Sequence, residues 1–466
     1  MKPGTAPWTT RIVAATAVLC LSPALLPADE PPEQVTIRDR TMTVWPADDL
    51  RQRGFDVADI PRDENAAWTY IEAANAFAEL PDDLKGAFGY ACRTAWPPGS
   101  AGTKLEAWLT NKDNRRALEL ARQAGELERC QMPYFGDPGG SIIAVLLPSL
   151  SHHRHLAKML IADGRRLEAG GKYARAFDNY ITAWRMGAHI GQGITLIEAL
   201  VGVACCAIGD QATRDLVLRR DLPPALLQKI LDQTARLAET RPDMKRGVRM
   251  EKLFGLGIVD EFVSRPTMSL RNVHNFWNGD FDVNPPNETG WGVLEARIGR
   301  LMLPDRTIKR HMNTFYDELI RRSELPAYEA NWPGDWEEQI VRSIPRWNVL
   351  ARMLLPSLAR ANELGERLRT AAQMTRVIAA LRLYAARHDG AFPDRLDELT
   401  DILGGADDLI DPFSGNQYVY QPEGEGWMLY SVGENMVDDG GKEDERAWKL
   451  DYVCRFPAPD VKPFEE

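Results

Sequence analysis

The chain has 466 residues, 44% of them hydrophobic and 26% charged, with a net charge of −11. The hydrophobic share excludes disorder along the whole chain, and the acidic balance, with a pI near 5.4, argues against a phosphate-backbone binder. At roughly 100–200 residues per domain, the length suggests two to four domains.

Lys2 and Arg11 precede an apolar run from Ile12 to Leu21, which Pro23 interrupts, and no charge follows until Asp29. A basic start, a short apolar core and small residues near the end predict a signal peptide over residues 1–28, cleaved after Ala28. The run is shorter than the ~20 apolar residues of a permanent span. An uncleaved inner-membrane anchor is the alternative, and only in that case would the chain contact a membrane. Leu19 before Cys20 argues against lipidation. The expected location is periplasmic or extracellular. Cleavage leaves Cys92, Cys130, Cys205, Cys206 and Cys454. The chain has no CxxC pair to suggest a zinc ribbon or a redox motif. In an oxidising compartment Cys92 and Cys130 are available to pair, whereas Cys205 and Cys206 read as buried thiols.

Residues 29–62 are rich in Pro, Asp and Glu and read as a linker. An α-helical domain is expected over 63–345. Asp63 is a candidate N-cap, followed by Ala67, Ile71, Ala74 and Phe77 at helical spacing. Leu105 to Leu127 is helical in pattern, and a loop follows from Pro133 to Gly140. Residues 150–190 are expected to form a helical hairpin. Leu160, Gly164, Leu167, Gly171, Tyr173, Ala176, Tyr180 and Ala183 stand where a tetratricopeptide repeat places its defining residues. Small residues at 164 and 176 permit close helix approach, and Tyr173 and Tyr180 fill the gaps. The segment resembles that repeat, although Ala188 replaces its terminal proline and no second unit follows. Further helices are expected from Ile194 to Ala212, from Pro223-Pro224 to about Thr240, from Arg246 to Val263, and from Arg306 to Arg322. Residues 264–292 read as a long loop. Trp332, Trp336 and Trp347 cluster before the last domain and suggest a wedge between the two parts.

The last domain is expected over 346–466. Leu350, Leu354, Leu358, Ala361, Leu364, Leu368 and Ala371 begin one long apolar helix face, and Pro356 marks a kink or a start. Gly390 suits a left-handed C-cap. Strands are expected at 417–420, 427–432 and 449–453, the first two joined through Pro422–Gly426. Within Trp427–Val432, alternation puts Trp427, Leu429 and Ser431 on one face. The charge concentrates here: residues 401–466 hold 16 acidic and 5 basic side chains, and residues 1–400 balance at 51 of each.

In order along this region stand Ala380–Tyr384, His388–Pro393, Leu396–Leu399, Asp411–Gly415 with Tyr418 and Tyr420, and Leu429–Gly433 before an acidic glycine loop. This succession resembles the globular head of type II secretion pseudopilins, the major pseudopilin in particular, over under a quarter of the chain. The resemblance implies an α+β pilin-like head and a calcium site in the acidic loop. Calcium takes oxygen ligands, and Asn435, Asp438, Asp439 and Asp444 offer them. Asn435 departs from the Asp usual in the family. The export signal lies far upstream of the head, so assembly as a pilus subunit is not expected.

No GxSxG elbow, HExxH helix or Walker loop is present. His152, His153 and His155 form the one histidine cluster. His152 and His155 share a helix face, as metal ligands do, but they lack a companion ligand at metal-site spacing. The expected fold is therefore mainly α, a helical body with a C-terminal α+β head. The expected function is that of an exported, non-enzymatic scaffold that binds an envelope protein partner and no nucleic acid. The alternatives are a secreted hydrolase with an unrecognised carboxylate site in the loops at 264–292 or 326–345, or an accessory protein touching a type II secretion apparatus.

Overall fold

A computed structural model describes residues 33–136, 147–264, 305–330, 336–345, 359–444 and 448–465. The expected signal peptide, the loop over 265–292, Trp332, Trp347 and Pro356 lie outside the described residues. Among the described residues the protein is mainly helical, with a small antiparallel sheet near the C-terminus.

The segment read as a linker is folded over residues 34–62. Strands β1 (Gln34–Ile37) and β2 (Arg40–Thr43) form a hairpin, and α1 (Ala47–Gln52) follows. Val35, Ile37, Trp45, Leu50, Phe55 and Val57 are buried. Apolar side chains spaced through a polar, proline-bearing stretch make this structure. Helix α2 (Ala66–Ala76) starts two residues later than Asp63 implies: Asn65 is the N-cap, accepting from the Ala67 amide at 3.1 Å. Helices α3 (Lys85–Arg93), α4 (Gly99–Leu109) and α5 (Lys112–Glu126) follow. The pattern from Leu105 to Leu127 thus breaks once, where Asn111 caps α5 by accepting from Asn114 N at 2.7 Å.

Helices α6 (Leu150–Ala169) and α7 (Tyr173–Ile190) form the expected hairpin, turned by Gly171 at φ +71°. At Gly164 on α6 the two helices approach closely. A Cβ there would sit 2.2 Å from Cε1 of Tyr180 on α7. The next helix, α8 (Leu196–Arg219), packs as tightly on the other side of α7: a Cβ on Gly187 would meet Gly202 O at 2.5 Å. Small residues along both flanks of α7 let three helices stack in van der Waals contact. Helix α8 is long and apolar enough to cross a membrane by length and composition, with mean hydropathy 1.4, yet 61% of that stretch is buried inside the fold. It also carries the buried charges Asp210 and Arg214.

Proline starts α9 (Pro224–Glu239), and α10 (Met244–Ser264) and α11 (Asp305–Ser323) follow close to their expected bounds. The long last helix, α12 (Ala359–Arg387), packs against α8 and α9 and carries one hydrophobic core across from the body into the C-terminal sheet. Ala361, Leu368 and Ala371 face that core, but Leu364, expected on the same face, is exposed. Gly390 at φ +92° donates to Ala385 O at 2.8 Å and closes the helix as expected.

Strands β3 (Val419–Glu423), β4 (Gly426–Ser431) and β5 (Tyr452–Phe456) form the antiparallel sheet, with β4 central. The first two are joined by the tight turn Gly424-Glu425. Residues of β4 are buried on both faces, so the expected alternation marks no solvent side. The C-terminal tail then returns to the body. Tyr90 on α3 donates to Lys462 O at 2.9 Å, and Arg219 on α8 donates to Pro459 O at 2.6 Å. All five described cysteines are free thiols, Cys92 and Cys130 included. Cys92 Sγ donates instead to Lys158 O.

Candidate functional site

Three places gather chemistry-bearing side chains. The first is the acidic glycine loop after β4. Gly433, Gly440 and Gly441 have positive φ, as does Met436, and they fold the loop back on itself. Of the four oxygen donors singled out in the sequence, two meet: Asn435 Nδ2 donates to Asp439 Oδ2 at 2.7 Å. Asp438 turns aside and accepts from Tyr430 Oη and Gly440 N, each at 2.9 Å. Asp444 stands at the far end, before the undescribed residues 445–447. Among the described residues, no group of three or more His, Cys, Asp or Glu side chains is gathered to hold a metal. As arranged, Asn435, Asp438 and Asp439 make their hydrogen bonds within the loop, to Tyr430 and to the backbone.

Sequence reasoning missed the loop's organiser. Asp451, only 1% exposed, accepts from Gly441 N at 2.7 Å and from Asp439 N at 3.3 Å. Asp411, equally buried, does the same at the start of the sheet, accepting from Phe413 N, Ser431 Oγ and Val432 N. Burial raises the Asp411 carboxyl against those hydrogen bonds. An isolated Asp in the sequence carries no sign of such a role. A buried carboxylate is retained where backbone amides need an acceptor.

The second place is the histidine cluster on α6. His153 is fully buried and edge-on to Tyr70 at 5.9 Å, and burial pushes it down to about 3. His155 packs against Phe77 and Phe88 and is likewise held down, to about 4. His152 is half-buried, with Nδ1 3.1 Å from Pro148 O. His152 and His155 do share a face, which opens on a cleft of about 860 Å³ with Asp39, Glu79 and Asp82 on its walls.

The third place is the seam between α8 and α12. Arg214 is buried and donates to Asp210 Oδ2 at 2.6 Å and Thr375 Oγ1 at 3.0 Å, and its guanidinium lies over the Tyr452 ring. Arg376 donates to Asp408 at 2.8 Å. Of these, the bond from Arg214 to Thr375 joins α8 to α12, and Arg376 also reaches Leu231 O on α9 at 3.4 Å. At the start of α8, Thr195 and Glu198 form a reciprocal capping box. Burial pushes the Glu198 carboxyl up to about 7, against hydrogen bonds from Thr195 and Tyr134.

A scan against protein-family models and searches of curated proteins and of solved structures returned no match to this chain.

Proposed function

We propose that this chain is an exported, non-enzymatic protein of a cell envelope that acts as a protein-interaction scaffold. What supports the reading is the stack of α6, α7 and α8, in which glycines bring three helices together in the manner of a tetratricopeptide repeat. Such a stack is a rigid frame with helix faces left for a partner. The exposed Ile197 on the first turn of α8 and Val437 in the acidic loop, 60% and 55% exposed, mark the surfaces for the test. A photo-cross-linker at either position in the full chain should give a saturable adduct with one envelope protein. Adducts with background proteins alone would refute the scaffold.

The pilin-like head is proposed to take calcium in its acidic loop through Asn435, Asp438, Asp439 and Asp444. The glycines and three carboxylates favour it. Asn435 must first release Asp439. Titration calorimetry on the full chain tests this: binding heat and a raised melting temperature with calcium are expected, and neither should survive Asp438→Asn with Asp439→Asn. Contact with a type II secretion apparatus rests on the resemblance of the head alone.

The cleft beside His152 favours a second reading, an exported hydrolase. A histidine anchored through one ring nitrogen beside carboxylates is equipped for general-base work. Turnover of ester or glycoside substrates that is lost in His152→Ala would establish it over the scaffold.

A further inference from the structure

A cleft of about 370 Å³ lies where the corner between α9 and α10 meets α12 and the end of α11. Its volume is at the low end for small-molecule sites. One face of α12 supplies Asn362, Glu366 and Arg369, spaced so that they line up along successive turns. The corner supplies Arg241. Between them, Gly365 lets the corner seat: a Cβ there would lie 2.7 Å from Met244 Cγ.

Among the described residues, no side-chain hydrogen bond joins Asn362, Glu366, Arg369 and Arg241 to one another, and Glu366 and Arg369 form only a loose ion pair. Asn362 is 3% exposed, yet its Oδ1 has no hydrogen-bond partner, and its Nδ2 reaches Leu319 O only at 3.4 Å. The buried Glu366 Oε2 has no hydrogen-bond partner either. Arg369 approaches it no closer than 3.7 Å, beyond hydrogen-bond range. Among the described residues Arg241 forms no hydrogen bond or ion pair, although most of its side chain is out of water and it feels the charges of Glu366 and Arg369. Native proteins rarely leave buried polar atoms without partners, and each exception calls for an explanation.

The signs of the groups narrow the explanation. A lone anion between the guanidinium groups would face the Glu366 carboxylate. A lone cation on Glu366 would face two arginines and Lys245. A molecule carrying both charges a few ångströms apart meets each with its complement. We propose that this cleft binds a small zwitterion of the α-amino acid class. Its ammonium group sits on Glu366 Oε2 and Asn362 Oδ1, and its carboxylate lies between the Arg241 and Arg369 guanidinium groups. The proposal is independent of the scaffold reading, because its test involves no partner protein.

The test is titration calorimetry on the full chain with the standard L-amino acids, each alone, and with acetate and n-propylamine, which carry one charge each. At least one amino acid should bind saturably and about tenfold or more tighter than either half-ligand. Glu366→Gln and Arg241→Met should each weaken that binding by about tenfold or more. Melting of the unliganded variants reports whether they fold. Glu366→Gln removes a charge from a half-buried side chain and is expected to keep the fold, so it carries the test should Arg241→Met not fold. The proposal is overturned if no amino acid binds, if acetate or n-propylamine binds as tightly, or if folded Glu366→Gln binds as the wild type does.

Discussion

Two charged regions of this molecule are built to opposite standards. In the α6–α7 hairpin, carboxylates and guanidinium groups are closely matched. Glu168 accepts from Arg165, Tyr180 and Arg220 at 3.2, 2.9 and 2.7 Å, and Asp163 accepts from Arg122, Asn179 and Arg166. In the α12 cleft, similar groups stand near one another without closing a bond. Both regions bear the cost of removing charges from water. The hairpin recovers most of it internally, with Arg165 Nε left without a hydrogen-bond partner. The cleft leaves its donors and acceptors free for something from outside. A closely paired network is architecture, and loosely paired groups lining a cavity are what the proposed ligand would engage.

The contrast can be broken at the hairpin first. Glu168→Ala leaves Arg165, 3% exposed, with part of its compensation gone, and should cost about 3–5 kcal/mol of unfolding free energy by denaturant titration. A comparable loss on replacing Glu366 would place the cleft in the same class as the hairpin and erase the distinction.

Glu198 is a bonded carboxylate whose burial outweighs its partners. Its folded pKa of about 7 lies above the ordinary 4.5, so the native state holds a proton that the unfolded chain releases. Its contribution to stability is therefore present below pH 4.5 and is lost as pH rises through 7. Relative to Glu198→Gln, the wild type should lose on the order of 3 kcal/mol across that window. Paired unfolding titrations at its two ends measure this, and a flat difference would show that the capping hydrogen bonds hold the carboxylate ionised.

Gly164→Ala tests how closely the hairpin is packed. The added methyl group meets the Tyr180 ring, and a loss of about 1–3 kcal/mol is expected in thermal or denaturant melts. The smallest effect belongs to an exposed pair. Lys229→Met breaks its contact with Asp178, both about half exposed, and should shift stability by less than ~1 kcal/mol.

The sequence made the helices legible where punctuation is strong. Pro223-Pro224 begins α9, Gly390 ends α12, and Gly170-Gly171 turns the hairpin. It was less legible where a break lacks proline or glycine: Thr110-Asn111 divides two helices through an Asn cap, and periodicity runs straight across. Composition hid the β1–β2 hairpin, because buried Val35 and Ile37 are few among prolines and acids. The acidic loop was visible as a charge excess. Its organiser, Asp451, was not, because that role arises only when β5 lies beside β4. The cleft was hidden for the same reason. Asn362, Glu366 and Arg369 read as an ordinary polar stripe until Arg241, more than a hundred residues earlier, is folded against them.

The last residues have a role out of proportion to their number. The bond from Tyr90 to Lys462 joins positions 372 apart in the chain. Tyr452 covers Arg214, more than two hundred residues earlier in the chain. A ribosome delivers the N-terminal helices long before these covers exist. Until the final segment emerges, α3 and α8 keep a raw face, with a buried-type arginine open to water. Contacts between such distant positions form late and slowly. The molecule is thus latched from its tail, and a chain ending near residue 450 would keep α12 packed on α8 but lose the bonds that Tyr90 and Arg219 make to the tail.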